Sequence, residues 1–521
     1  MSPPHDVWSI LERAADAWPD AVAYAGPGGE EVRWSEAARR IDALARGLAR
    51  VGVGPGERVA LGELNSATFL EVTFATLGLG ATLVPLNTRL ARREVAEVLT
   101  DAAPRVLLAN GAFVDTLGAR DLPTWWIGDE APAGAARLAA LYAAPAAGHD
   151  AALGFEPHVC APADPAFLYY TSGTTGRAKG VILTHKNVVR HAEAATTELD
   201  LASDDVWGHV APMFHLADAW ATLAITLVGG RHVFLPRFDP SAACALFAAA
   251  GVTVTNLVPT MLQRMLAAAP GAGFEGGALR LVLSGGAPIA PATVRAVLET
   301  FRCEYVQTYG LTETSPYLTL SVLEARHRAL DLDAQIKRRA RTGRPFETVE
   351  LDVVDDDGKP VPRDDATVGE VIARGDTVTP GYWNRPEETA RAFRDGWFRT
   401  GDLATIDAEG WLNVVDRAKD VILSGGENVY SAEVEAALLE HPAVLEVAAY
   451  GAPHPEWGEE VRAAVVLKDG RHATAAELRA FCRERLAGYK VPKLIELMLD
   501  LPRTGSGKVA KRLLRDAAGG A

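Results

Sequence analysis

The sequence predicts an α/β protein. A large N-terminal region of α/β sheets contains a small β-rich subdomain, and a small α+β region follows at the C-terminus. Three observations predict this. Short apolar runs alternate with helical patterns through the first 300 or so residues. From residue 350, short strand-like runs are joined by acidic or glycine turns. After DRAKD, residues 416–420, the pattern becomes a compact mixture of helix and strand. A chain of 521 residues is also too long for one core.

The elements follow in order. Val7, Ile10, Leu11, Ala14 and Ala15 share one helical face, which Pro19 closes. AVAYAG is a short strand. Ser35 is placed to cap a helix carrying Ala38, Ile41, Leu44, Ala45 and Leu48, ending at GVGPG. ERVALGEL is a strand, and Asn65 is expected to open the next helix. Residues 67–86 are the longest apolar stretch. They contain Glu71, threonines and glycines, so a buried helix running into a core strand is expected rather than a membrane span. RVLLA, VILTH, HVFLP, VTVTNLVP and LRLVLSG are further strands. Residues 131–150 are alanine-rich and read as a surface connection. VELDVV, GEVIARG and GWLNVVD form the β-rich subdomain, and SAEVEAALLEHP, VLEVAAYGAP, VRAAVVLKDG and AAELRAFCRERL form the last region. The domains are expected at 1–416 and 417–521.

Composition narrows the function classes. Hydrophobic content of 48% and charged content of 23% suit a soluble globular protein. A net charge of −15 argues against a general nucleic-acid or anionic-membrane surface. Cys160, Cys244, Cys303 and Cys482 lie far apart without C-x-x-C spacing, as expected of buried, reduced thiols in a cytoplasmic protein. MSPPHDVW lacks the basic start and apolar run of a secretory signal.

The chemistry concentrates in a few segments. TSGTTGRAKG, residues 171–180, leaves the apolar run AFLYY. Glycines let backbone approach an anion, hydroxyls and N–H groups donate to its oxygens, and Lys179 adds charge. Gly180 stands where a P-loop needs Ser or Thr, so this is a phosphate loop of another kind. YGLTETSP, residues 309–316, puts Thr312 and Glu313 at the tip of a turn, which suits a phosphate and a hard cation such as Mg²⁺. In FRTGDLATID, Asp402 can accept two ribose hydroxyls. Arg417 can contact ribose or phosphate. LPRTGSGKVAK, residues 501–511, is a second Gly/Ser loop, carrying Lys508.

Together these segments resemble the acyl-adenylate-forming superfamily of acyl-CoA synthetases, luciferases and adenylation domains. The resemblance runs over nearly the whole chain and is strongest to the fatty-acid ligases. It implies that ATP, Mg²⁺ and CoA serve the reaction, with a carboxylic acid as the other substrate. It implies ATP and AMP contacts from Thr171, Ser172, Gly173, Thr174, Thr175, Lys179, Gly285, Gly286, Ala287, Tyr309, Gly310, Thr312, Asp402 and Arg417. It makes Glu313 the metal ligand, Lys419 the hinge of a mobile C-terminal domain, and Lys508 the lysine that swings in for adenylation. His215 and Thr312 join Lys508 as catalytic candidates, His215 beside the acid carboxylate. His215, Ala219, Trp220, Val258, Gly310 and Tyr317 are implied for the acid pocket. Gly425, Gly426, Trp457, Lys490 and Lys493 are implied for CoA, with Trp457 on adenine or along the pantetheine tunnel and either lysine on phosphate.

Three positions depart from the family pattern. Asp416 replaces a common glycine, Asp218 another, and Trp220 stands one residue beyond the usual tryptophan gate. The expected acid is a medium- or long-chain fatty acid, with aryl acids second. The alternative is an adenylating enzyme that loads an aryl or acyl group onto a separate carrier protein. A non-catalytic nucleotide binder is a third class, disfavoured because Lys508, Glu313 and Asp402 are all retained. The sequence is compatible with a homodimer.

Overall fold

The computed structural model describes residues 4–26, 29–117, 121–143, 156–172, 178–503 and 509–519. Lys508, Gly173, Thr174 and Thr175 lie outside these residues. The described chain forms four sheets.

The largest sheet has nine strands. Its middle runs parallel in the order Glu304–Gly310, Leu281–Gly285, Val254–Asn256, Val206–His209, Arg231–Phe234 and Val22–Ala25. Antiparallel strands close both edges. The second sheet has six strands: Thr124–Ile127, Val106–Asn110, Arg58–Gly62, Thr82–Pro85, Pro165–Ser172 and Ala178–Thr184. The last two form an antiparallel hairpin around the phosphate-loop segment. Helices between parallel strands bury the sheets on both faces, so the strands read as continuous apolar runs. The strand ends therefore converge on the face where ligands bind in such sheets.

The helix Ala67–Gly78 is buried, and the strand Thr82–Pro85 follows it, as expected. Its one charge, Glu71, accepts from Tyr24 Oη at 2.5 Å and Arg40 Nε at 2.8 Å, and from the Tyr142 hydroxyl. That network lets a carboxylate stay inside the core. Among the described residues, no helix is long and apolar enough to cross a membrane.

Several local expectations shift. Ser66, not Asn65, caps that helix, its hydroxyl accepting from Phe69 N at 3.2 Å. Asn65 instead reaches across the core, donating to His209 and Ala211 carbonyls and accepting from Met213 N. The second helix begins at Trp34, one residue before Ser35, because the Trp34 N–H is held by Ala21 O at 3.0 Å and its ring is fully buried. The 131–150 segment is not wholly a surface connection. Its helix Ala139–Tyr142 tucks Leu141 against Gly47, where an added Cβ would meet Leu141 O at 2.0 Å.

The β-rich subdomain is an antiparallel sheet of Val349–Val354, Gly369–Gly375, Trp397–Ile406, Phe393–Arg394 and Leu412–Arg417. A helical turn, Ala418–Asp420, leads from it to the C-terminal sheet. There Val444–His454, Gly458–Leu467, Ile422–Ser424, Glu427–Val429 and Leu494–Met498 pair around separate apolar clusters. The strands Ile422–Ser424, Glu427–Val429 and Leu494–Met498 were not anticipated; the first two are only three residues long. Such short strands carry too little alternation to read. All four cysteines are free and buried.

Candidate active site

The strand Glu304–Gly310 brings Tyr309 to the carboxyl edge of the nine-stranded sheet. Its hydroxyl donates to Asp402 Oδ2 at 2.8 Å. Asp402 stands opposite Arg417 in the antiparallel register of the β-rich sheet, and Arg417 Nε lies 3.1 Å from Asp402 Oδ1. Asp402 is 3% exposed, so both carboxylate oxygens are directed by neighbours rather than by water. Burial, then the Asp402 charge, holds the Tyr309 phenol protonated. Three residues distant in sequence thus meet in one polar cluster.

Gly285, Gly286 and Gly310 make close backbone approach possible beside that cluster. A Cβ on Gly285 would meet Thr308 Oγ1 at 2.2 Å, and one on Gly310 would meet Pro316 O at 1.8 Å. Gly286 has φ +82°, a conformation that favours glycine. Ala287 O accepts from Gln307 Nε2 at 3.0 Å, which pins the loop to the next strand.

Thr312 opens a tight helical turn, Thr312–Thr314, with Glu313 at its centre. Glu313 Oε1 accepts from Tyr382 Oη at 3.0 Å. Tyr382 reaches it because Trp383 N donates to Gly180 O at 2.8 Å and Ile182 N to Gly381 O at 3.1 Å. The exit strand of the 171–180 segment, the 381–383 segment and the Glu313 turn are thereby laced together. Thr171 and Ser172 pair with Lys179 and Ala178 across the hairpin. Lys179 Nζ lies 2.7 Å from Glu388 and 5.1 Å from the centre of the Tyr382 ring. That pair lowers the Glu388 pKa. Tyr382 and Glu388 were missed by the sequence reading. Their one signal is an aromatic and acidic run, GYWNRPEE, preceded by Pro380 and interrupted by Pro386.

The expected acid-pocket residues divide. His215 precedes the helix Leu216–Leu227, which carries Ala219 and Trp220. Trp220 and Tyr317 pack edge to face at 5.2 Å. Val258 lies instead beside Gly286, 3.9 Å from where a Cβ would stand. Asp218, in the first turn of the same helix, is fully buried. It is held by His209 Nδ1 at 2.6 Å and Trp207 Nε1 at 3.4 Å. This substitution for the usual glycine therefore fastens the pocket wall to the sheet.

In the C-terminal region, Gly425 N donates to Trp457 O at 2.9 Å, and Lys493 Nζ lies 4.8 Å from the Trp457 ring centre. Gly425 and Gly426 turn with φ +61° and +84°. Lys490 is drawn away to Glu433 at 2.7 Å. Lys419 lies in the turn Ala418–Asp420, its pKa lowered by burial and by Arg417. Arg503 and Val509, which flank residues 504–508 in sequence, form an antiparallel bridge.

Residues 11–383 match the family model described as AMP-binding enzyme, and residues 433–508 match the AMP-binding enzyme C-terminal domain. The chain belongs to the AMP-binding enzyme family. A feruloyl-CoA synthase from an Amycolatopsis species is 39% identical over 96% of this chain and 98% of its own length. A long-chain-fatty-acid–CoA ligase from Thermus thermophilus is 36% identical, covering 98% and 95%. An anthranilate CoA ligase solved with anthranoyl-AMP superposes with a TM-score of 0.88 at 26% identity, over 100% of this chain and 98% of that one. The enzyme is an AMP-forming acid–CoA ligase of the adenylate-forming superfamily, with ATP, an acid and CoA as substrates.

Proposed function

We propose that the acid is compact and aromatic. The observation that carries this reading is the aromatic packing around the wall helix, where Trp220, His191 and Tyr317 meet. Phe167, Tyr169, His191, Ala219 and Trp220 line one small cavity there, so aromatic rings crowd the wall that carries the expected acid-pocket residues. Flat aromatic walls suit an aryl ring, which they can stack or meet edge-on. The feruloyl and anthranilate ligases among the similar proteins act on aromatic acids by name. Medium- or long-chain fatty acids, first in the sequence-based ordering, are the second reading; the Thermus relative is named for them.

The residues take these roles. Asp402 and Arg417 hold the ribose, with Tyr309 orienting the carboxylate. Gly285, Gly286 and Ala287 lay backbone against the adenine and the acid. Lys179 and the hydroxyls of 171–175 receive the outer phosphates. Glu313 suits a magnesium ion: its carboxylate is a hard ligand on a rigid turn, directed by Tyr382. When bound, that ion would offset charge on the phosphates. The acid carboxylate oxygen bonds to the α-phosphorus as the bond to the pyrophosphate oxygen breaks. Lys508 stabilises the charge gathered there. The region from residue 417 then turns about Lys419 and offers the CoA groups around Gly425, Trp457 and Lys493. The thiol attacks the acyl carbon and AMP leaves. Running both steps in one site keeps the mixed anhydride from water.

The test is a panel of acids from acetate to stearate, with benzoates and cinnamates, assayed for AMP release with and without CoA. Aryl acids are expected to lead, with thioester formed. Faster turnover of stearate or octanoate would sink the aromatic reading. Acyl-AMP formed without transfer to CoA would favour a separate carrier protein as acceptor.

A further inference from the structure

A second polar cluster uses none of the residues assigned to the reaction. It lies in residues 158–164, which lead into the strand Pro165–Ser172 of the phosphate-loop hairpin. His158 N donates to Gly78 O at 2.8 Å, at the end of the helix Ala67–Gly78. Its ring covers Gly80, where an added Cβ would meet His158 Cδ2 at 2.4 Å. Cys160 N donates to Asp6 Oδ2 at 3.4 Å, and Asp6 caps the helix Val7–Ala17. Asp164 closes the turn, donating from its N to Ala161 O and accepting from Ala161 N through Oδ2. The backbone thereby gathers three different donors. An imidazole nitrogen of His158, the sulfur of Cys160 and a carboxylate oxygen of Asp164 all lie within 4.8 Å of one another.

The surroundings favour a cation. Asp6 and Asp164 bring two carboxylates, and among the described residues no lysine or arginine forms an ion pair with either; His5 Nε2, 3.6 Å from Asp6, is the one basic group beside them. His185 stands behind the set. Its N–H donates to Asp164 O at 3.0 Å, and its Nδ1 accepts from Val7 N at 3.2 Å. The ring is close enough to Asp6, Asp164 and His158 for all three charges to act on it. His185 is 1% exposed, and its Nε2 is buried without a hydrogen-bond partner. Buried polar atoms are nearly always paired, so this nitrogen is a further donor at the same place.

We propose that His158, Cys160 and Asp164 form a binding site for one zinc ion, structural in role. Nitrogen, sulfur and oxygen donors together suit zinc, which takes all three at about 2.0–2.3 Å. Magnesium and calcium take oxygen donors, so the thiol selects against them. Bonds of that length set neighbouring ligand atoms about 3.5 Å apart, so the three close on an ion by side-chain movements of about 1 Å. The thiol loses its proton to solvent as the ion binds. The ion braces the segment that holds the helices Val7–Ala17 and Ala67–Gly78 to the strand entering the phosphate-loop hairpin. It is separate from the magnesium proposed at Glu313 and does not depend on which acid the enzyme takes.

The experiment titrates the full-length enzyme with Co²⁺ and then Zn²⁺, without ATP or CoA, since both bind metals themselves. Cobalt should give a thiolate-to-metal charge-transfer absorption in the near ultraviolet that saturates at one equivalent and is displaced by zinc. Cobalt held by the Glu313 carboxylate gives no such band, because it has no sulfur ligand. Cys160→Ser should abolish the band. His158→Ala and Asp164→Asn should each weaken zinc binding by on the order of tenfold or more. Zinc should raise the melting temperature of the wild type and leave that of His158→Ala unchanged. His158 is exposed, so its variant carries the test if Cys160→Ser does not fold. The proposal is overturned if the wild type shows no band, or if a folded Cys160→Ser protein keeps it. It is equally overturned if His158→Ala and Asp164→Asn both bind zinc as the wild type does, since a lone thiol would then be the only ligand.

Discussion

Glu63 illustrates how a single buried group sets a pH response. It follows the strand Arg58–Gly62 and is 3% exposed, with Asn110 Nδ2 donating to its two oxygens at 3.1 and 3.0 Å. Burial raises its pKa from 4.5 to about 7, and the Asn110 bonds only partly oppose this. A raised folded-state pKa means the unfolded chain releases its proton first. Stability from this group is therefore complete below pH 4.5 and falls as pH rises to about 7. The full loss is on the order of 3 kcal/mol. Glu63→Gln should remove that slope and melt higher than the wild type at pH 8. Chemical denaturation from pH 4.5 to 8 measures it; parallel curves for the two proteins would show that Glu63 does not titrate in this window. Nothing in ERVALGEL marks Glu63 as a buried carboxyl. Asp402, by contrast, was legible as a candidate ribose ligand from its place after a glycine, whereas its partners Tyr309 and Arg417 come from strands of two different sheets.

At the scale of the element, the decisive contact is Asp416. It is the last residue but one of the strand Leu412–Arg417 and accepts from both N and Oγ of Ser431, the first residue of the helix Ser431–Leu439. A carboxylate there satisfies helix N–H groups and favours the positive end of the helix dipole. A second tie lies nearby, where Arg515 in the last helix meets Asp420 in the turn Ala418–Asp420 at 2.6 Å. The departure from glycine at 416 thus clasps the helix Ser431–Leu439 to the strand Leu412–Arg417. Asp416→Ala should cost about 1–2 kcal/mol. It should also speed limited proteolysis between residues 417 and 431. Cleavage at the wild-type rate, with an unchanged melt, would remove Asp416 from this role. Sequence alone marked 416 as a departure but supplied no reason, since its partner is fifteen residues on and defined by the turn of the chain.

At the scale of the whole molecule, the turn Ala418–Asp420 leads from the β-rich sheet to the C-terminal sheet. Separate apolar clusters underlie the nine-stranded sheet region and the C-terminal sheet. Lys508→Ala should lower acid-dependent ATP–pyrophosphate exchange by on the order of a hundredfold, the scale of losing one transition-state donor. It should still pass pre-formed acyl-AMP to CoA. Lys419→Pro fixes φ near −65° and restricts Ala418. If that traps the adenylating orientation, acyl-AMP forms while transfer to CoA slows greatly. A folded Lys419→Pro protein running both half-reactions at wild-type rate would remove rotation about this residue from the mechanism.

The sequence by itself determined the class of reaction and the layered α/β plan. Phosphate loops, a turn glutamate and an Asp after a glycine are local patterns, and alternating apolar periods are local too. Only the tertiary structure decided which side chains complete those patterns. Tyr382 reaches Glu313 because Trp383 and Gly381 bond to the strand Ala178–Thr184, some two hundred residues earlier. Tyr169 and His191 look like ordinary strand and helix residues in the chain. They meet beside one small cavity because the helices His185–Glu198 and Leu216–Leu227 pack on the strand Pro165–Ser172. Hydrogen-bond pairing and cavity volume depend on distances between segments remote in sequence, which no local pattern encodes.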